Sequence, residues 1–464
     1  MLLRNGTFLQ NWFNLNNVLF QVFGKEIREV PREFLVFLSV RIEIMKQTSF
    51  SRVHSTWPIV ALVAILLLSA CGGSTGGTSN ASTVDYSGTI TIWHGWQGAY
   101  LQAKQAIFDQ YTKLHPKVKI VLVHQDQIAS KATTAVKAGN GPDIIAYTDD
   151  NLGELALGKV VAPMDQYITQ DYLKQNYSPA AASALNFNGH VYGVPEAVEA
   201  ITLMYNKALV SASDLPKTSD DMLAFEKSYA QAHPGQYGVV WNTEDPYDNA
   251  PWFYGFGASY VTPDGQAHLN TPQALAAMQY IASYRPYLPK QQSYDVASAL
   301  FTEGKAAVII NGPWSYSDYA TGGKINVGFA TLPIVTANNT PAKPFVGVKS
   351  LWMAKTAKNP ALVADLMKFY TNKTNQVTMS QADGEIPANS AAANDPAVQA
   401  LPAVAGYAAQ VKLGVALPNT PYMSALWTPV QDALTSVWNG SQTPEKALSD
   451  AQAAATKGIA QITS

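Results

Sequence analysis

The sequence has almost no cysteine and little charge. Of its 464 residues one is Cys, Cys71, which excludes an intramolecular disulfide framework and any zinc site built on several thiolates. Charged residues make up 14%, against about 25% in an average soluble domain. The 31 Lys and Arg nearly balance the 33 Asp and Glu, for a formal net charge of -2. Without a basic face there is no electrostatic footprint for nucleic acid. The 7 His show no HExxH-like spacing and have no Cys partners, so neither a metal nor a cofactor is expected, and His94 beside Trp93 stands alone. Gly139-Asn140-Gly141-Pro142 lacks the Lys-Ser/Thr ending of a phosphate loop and precedes a strand, so it reads as a turn. The apolar stretch from Trp57 to Ala70 is shorter than the roughly 20 residues that span a bilayer. With 47% hydrophobic residues at this length, about two domains of ordinary size are expected.

What is present begins with the surroundings of Cys71. Met45-Lys46 and Arg52 form a positive flank, Pro58 to Leu68 is apolar, and Leu68-Ser69-Ala70-Cys71 is followed by a Gly-rich stretch from Gly72 to Gly77. That order reads as a secretory signal. Leu68-Ser69-Ala70-Cys71 resembles a bacterial lipobox, which implies that Cys71 becomes a lipidated first residue; the alternative is a buried or free structural cysteine. The expected division is a misassigned upstream extension over 1–44, with Met45 as the start, then a lipoprotein signal peptide over 45–70 and a flexible tether over 71–87. A real extension of unknown use is the competing reading of 1–44. The folded part is expected over 88–464.

Within that part, Thr89-Ile90-Thr91-Ile92-Trp93 reads as a strand, and Leu101, Lys104, Ile107, Phe108, Tyr111 and Leu114 recur at helical steps with only Lys104 polar. Val118 to Val123 returns as a strand, and Ile144-Ile145-Ala146-Tyr147 as a third after a helical stretch. This βαβαβ rhythm predicts an α/β fold with a parallel, doubly wound sheet. Further helices are expected over 271–284, 359–371 and 443–460, the last with Thr443 as N-cap, Pro444 at the first helical position and Glu445 at the positive end of the helix dipole.

From Gly88 onward a series of landmarks appears in order: Gly141-Pro142-Asp143-Ile144-Ile145, Asn188-Gly189-His190-Val191-Tyr192-Gly193-Val194-Pro195, Val198-Glu199-Ala200, Tyr205-Asn206-Lys207, Pro246-Tyr247, Asn311-Gly312-Pro313-Trp314, Lys343-Pro344-Phe345-Val346-Gly347-Val348 and Pro421-Tyr422-Met423-Ser424-Ala425-Leu426-Trp427. Together they resemble the maltose/maltodextrin-binding proteins of ABC sugar importers. The resemblance implies a two-lobed periplasmic-binding-protein-like fold with discontinuous lobes, about 88–198 with 348–402 and 199–347 with 403–464, and a ligand cleft at the hinge. It also implies an oligosaccharide ligand, permease subunits as partners, attachment to the membrane through the lipid, a monomer, and a place on the outer face of the cell membrane or in the periplasm.

A sugar ring presents apolar C–H faces and a rim of hydroxyls, so its site needs flat aromatic platforms and polar groups at the edge. Trp314, Trp427 and Tyr247 match family positions whose rings stack on glucose units, and Tyr147 sits where the family carries another cleft aromatic. Asp150, Glu199 and Asp245 are the candidate acceptors, each alternatively a solvated charge or a helix cap. The first loop departs from the family: Trp93-His94-Gly95-Trp96-Gln97-Gly98 stands where an Asp and a Lys are the pattern, so Trp96 and Gln97 become candidates for stacking and hydrogen bonding, or plain loop packing. Asn151 replaces an expected Arg. These departures leave open a different oligosaccharide, of trehalose, galacto or arabino type. A secreted glycoside hydrolase is the remote rival, because it too combines aromatics with carboxylates.

Overall fold

The computed structural model describes residues 84–262, 264–320 and 324–463. The expected Met45 start, signal peptide, Cys71 and most of the tether lie outside the described residues. Val84–Ser87, the end of the expected tether, already lies against the domain. Tyr86 stacks on His115 with ring centroids 4.0 Å apart, and Asn359 Nδ2 donates to the Asp85 carbonyl.

The chain opens with β1 (Gly88–His94), in which Ile90 and Ile92 are buried and Thr89 and Thr91 are not, the alternation of a strand with one face on a core. β2 (Val118–His124) and β3 (Ile144–Thr148) pair with β1 in parallel, joined through the helices Gly98–Leu114 and Ile128–Lys137. Gly139, at φ 76°, makes the turn that ends the second of these helices. β4 (Gly193–Glu199) then runs almost directly into β5 (Thr202–Asn206), and between them the chain leaves one sheet for another. The second sheet is completed by β6 (Tyr237–Val240), β7 (Ala306–Asn311) and β8 (Val327–Ala330), in the order β8-β5-β7-β6. β9 (Phe345–Met353) returns to the first sheet and inserts between β3 and β4, with the short β10 (Ile386–Pro387) beyond β4 and β11 (Val415–Ala416) beside the start of β9.

The parallel sheet expected from the βαβαβ rhythm is therefore mixed. β9 is antiparallel to both β3 and β4, because it enters from the second lobe instead of returning over a helix of the first. Two separate cores follow from this path. One gathers buried residues from Ile90–Val198 and Val348–Ala388, the other from Ile201–Phe345 and Ala403–Ala455. The fold is thus α/β and two-lobed, with each lobe discontinuous in sequence.

Helix starts repeat one device. Thr271, Asn359 and Thr443 precede Pro272, Pro360 and Pro444, and each offers its side-chain oxygen to a backbone N–H three residues on, at 3.1, 3.2 and 3.4 Å. Proline at the first helical position gives up no needed hydrogen bond and brings a preset φ.

β4 and β9 meet without room to spare: a Cβ on Gly193 would stand 2.1 Å from the Leu351 carbonyl oxygen, a backbone atom that cannot turn away. Gly193→Ala should therefore destabilise the protein by about 1–3 kcal/mol in urea unfolding; an unchanged midpoint would show that the strand pair has slack.

Candidate functional site

A cleft lies between the lobes as two adjoining chambers of about 870 and 690 Å³, each within the range of about 300–1,000 Å³ common for ligand sites. Tyr147 and Thr148 at the end of β3 and Trp314 on the helix Pro313–Ala320 belong to the walls of both. Trp96 and Gln97 line the first chamber, and Asp150, Glu199, Asp245, Tyr247 and Trp427 the second, so all nine candidate residues border the cleft.

They differ in what they leave for a ligand. Trp314 is half-buried, and its six-membered ring lies so close to Gly312 that a Cβ there would stand 2.2 Å from it. Only glycine lets the ring sit where it does. Tyr247 packs edge-on to Trp314 at 6.0 Å, and its buried hydroxyl has no protein partner among the described residues, which leaves a donor at the wall of the second chamber. Trp96, in contrast, is 6% exposed and stacks on His94 at 4.7 Å, with Phe108 and Tyr370 at 6.0 and 6.3 Å; little of its face is left for a sugar. His94 Nδ1 accepts the Trp96 backbone N–H, and burial, with the charge of His124 second, lowers the ring to about 4. Gln97 is exposed and meets His124 at 3.2 Å.

Among the acids, Asp245 caps the helix Pro246–Gly255, its Oδ1 accepting the N–H groups of Tyr247 and Asp248 at 2.7 and 3.3 Å. Asp150 accepts from Asn151 Nδ2 at 2.7 Å and, across the lobes, from Trp427 Nε1 at 3.0 Å. Burial pushes its carboxyl up against these donors. Glu199, at the end of β4, is ion-paired with Lys349 Nζ on β9 at 2.9 Å.

Lys349 opens onto a buried network. Its ammonium also donates to Glu385 Oε1 at 3.2 Å and Tyr100 Oη at 2.9 Å, and Tyr100 in turn donates to Glu385. Behind it Lys104 is fully buried, 2.6 Å from Glu196 Oε1, 2.9 Å from Glu385 Oε2 and 3.6 Å from Asp383 Oδ2, with the Tyr100 ring 3.9 Å away. Two ammonium groups thus face four carboxyl groups. Burial would raise Glu385, but Lys104 and Lys349 draw it down to about 2. Asp383 goes the other way, to about 7, from burial first and the Glu385 charge second. Sequence reasoning missed Lys349, Tyr100 and Tyr294, which border the first chamber. The available signal was Lys349 itself, the single charge in the strand Phe345–Met353. Among the described residues no group of three or more His, Cys, Asp or Glu is gathered as a metal site.

Two α/β lobes around a cleft with aromatic and carboxyl walls define a binding protein of the periplasmic type. The chain belongs to the family described as bacterial extracellular solute-binding protein, whose profile matches residues 106–406. It is 30% identical over 356 residues to a maltotriose-binding protein of Pyrococcus abyssi, covering 76% of this chain and 78% of that one. It is 28% identical over 400 residues to a galactooligosaccharide-binding protein of Bacillus subtilis, covering 83% and 92%. The maltose/maltodextrin-binding domain from Bdellovibrio bacteriovorus, solved bound to maltotriose, superposes with a TM-score of 0.75 at 27% identity, over 80% of this chain and 100% of that one.

Asp383 makes stability depend on pH. In the unfolded chain it ionises near pH 4, whereas in the folded protein it keeps its proton to about pH 7. Its favourable contribution is complete below about pH 4 and is lost as pH rises through about 7, because the folded state holds a proton the unfolded state has released. Asp383→Asn, which keeps the oxygen that accepts the Glu385 N–H, should gain stability over wild type progressively from pH 4 to 7 and hold the gain above that. Melting temperatures of both proteins across this range test it; a difference independent of pH would contradict the assignment.

Proposed function

We propose that this protein is the ligand-capturing component of an ABC importer, exported, anchored through a lipid on Cys71, and closing its two lobes on malto-oligosaccharides. The observation that carries the proposal is the pair of chambers joined at Tyr147, Thr148 and Trp314, with rings from both lobes and carboxyl groups in their walls. Their volumes of about 870 and 690 Å³ leave room for more than one sugar unit. The maltotriose-binding relative and the maltotriose-bound neighbour support the same sugar class.

Stacking on Trp314 removes apolar surface from water at roughly 25 cal/mol per Å² and costs little conformational entropy. The acids must shed water first, and a hydrogen bond exchanged for water nets about 0.5–1.5 kcal/mol, somewhat more when charged. Affinity should therefore reside mainly in the rings and selectivity in the acids.

Binding, not hydrolysis, is the reading these carboxyls favour. A hydrolase needs two of them across one scissile bond, one poised to give up a proton. Here Glu199 is paired with Lys349, and an oxygen of Asp245 is spent on a helix cap. A second reading, a galacto-oligosaccharide ligand, draws on the Bacillus subtilis relative and on the first loop, where Trp96 and Gln97 replace the family's acid–base pair.

Titration calorimetry with maltose, maltotriose, trehalose and a galacto-oligosaccharide separates these readings. Wild type should bind the malto-oligosaccharides, Trp314→Ala should weaken them at least about tenfold, or roughly 1.4 kcal/mol, and Glu199→Gln should chiefly reorder the panel. No malto-oligosaccharide binding by wild type sinks the sugar assignment, and release of reducing sugar from maltotriose would make the protein an enzyme.

A further inference from the structure

Lys349 stands where the cleft, the crossing strands and the buried charges meet. It lies on β9, its side chain is 14% exposed at the wall of the first chamber, and the Glu199 it holds faces the second. Its ammonium donates to Glu385 Oε1 and Tyr100 Oη and stands 2.9 Å from Glu199 Oε2 in an ion pair. Enclosed by these three oxygens, it is placed to hold protein groups more than a sugar hydroxyl. It is instead 5.1 Å from the centroid of the Trp314 ring, which comes from the other lobe, and 4.6 Å from that of Tyr100.

We propose that Lys349 is the positioning residue of the cleft: its ammonium fixes the Glu199 carboxylate as a charged acceptor and seats the Trp314 ring beside it, so that ring platform and acceptor are set before the sugar arrives. The proposal rests on the sugar-binding reading above. Physically, a carboxylate as buried as Glu199 is costly unless a cation stands against it, and one left to rotate loses part of its affinity to ordering on binding. Glu385, held by both lysines, anchors Lys349 from behind.

The groups that face this pair are Glu196, Glu385, Asp383 and Lys104 in the network and Asp149, Asp150 and Tyr247 toward the second chamber. Burial raises the Glu199 carboxyl and Lys349 opposes that rise. With Lys349 gone, Glu199 should take up a proton at higher pH, and the variant's affinity should acquire a pH dependence that wild type lacks.

The test is a double-mutant cycle read by calorimetry with maltotriose and a galacto-oligosaccharide between pH 5.5 and 8.5. Lys349→Met should weaken the sugar that wild type binds by at least about tenfold at pH 6 and recover part of the loss by pH 8.5, while wild type stays flat. In a Glu199→Gln background the same substitution should cost less than about threefold, because the group it acts through is no longer ionised. Should Lys349→Met fail to fold, Lys349→Arg carries the cycle: it keeps the charge, alters the geometry, and should lose less, again non-additively with Glu199→Gln. If wild type binds and the two losses simply add, with no pH dependence, Lys349 is only a packing residue and the inference falls alone. If wild type binds neither sugar, the sugar-binding reading fails and takes this inference with it.

Discussion

The antiparallel pairing of β4 with β9 constrains almost everything else, because both strands belong to the first sheet and both continue into the second lobe. β4 reaches β5 after two residues, and β9 arrives from the segment beyond β8. Relative movement of the lobes must be absorbed at the ends of these strands and at a third crossing, between Ala388 and Ala403. The polar centre of the cleft is built on those ends: Glu199 is the last residue of β4, and Lys349 lies mid-way along β9 where the register between the strands shifts, between Lys349 and Ser350. A bulge at that point re-aims side chains without breaking the pair. The backbone N–H of Val348 is bonded to Asp149 Oδ1, which ties the turn carrying Asp150 to the same strand. Groups that would touch a ligand are thus placed by the hinge itself.

The charges beneath the cleft are an expensive way to hold a protein together. Hydrophobic side chains of similar volume often do as well or better, whereas removing one partner of a buried pair costs about 3–5 kcal/mol. What the network offers is geometry. Lys104 on the helix Gly98–Leu114 is bonded to Glu196 on β4 and to Glu385 next to β10, while Tyr370 Oη donates to Glu196 at 2.6 Å. Four separate segments of the first lobe converge there, and Lys349 links them to Glu199 and, across the cleft, to the Trp314 ring of the second lobe. A rigid floor on one lobe and rings on the other suit a protein that closes on its ligand, since one wall must stay in place while the other moves.

Much of this fold is written locally. The alternation in β1, the Thr-Pro and Asn-Pro helix starts and the turn at Gly139 each act through neighbours a few residues away, and each is legible in the sequence. The mixed sheet was not, because the direction of β9 depends on where the chain has been since β8 and not on any residue in it. At the site the division is similar. Lys104 was visible as the lone polar residue in an apolar helical stripe, but its partner Glu385 lies 281 residues on, so its role was not. Trp96 read equally as a stacking surface or as plain loop packing; the ring that helps cover it and decides for packing, Tyr370, comes from a distant helix. Asp245-Pro246 carried both the family's acceptor position and an ordinary capping signature, and the cap is satisfied whether or not a ligand binds.

If a sugar is held between walls that belong to different lobes, binding favours the arrangement in which both walls reach it, as Asp150 on one and Trp314 on the other do here, over a more open one. Ligand affinity for the closed arrangement drives that change. Small-angle scattering of the protein with and without a saturating sugar, one shown by calorimetry to bind, tests this most directly. The radius of gyration should fall on saturation; a value unchanged by a ligand that demonstrably binds would contradict a cleft that works by closing.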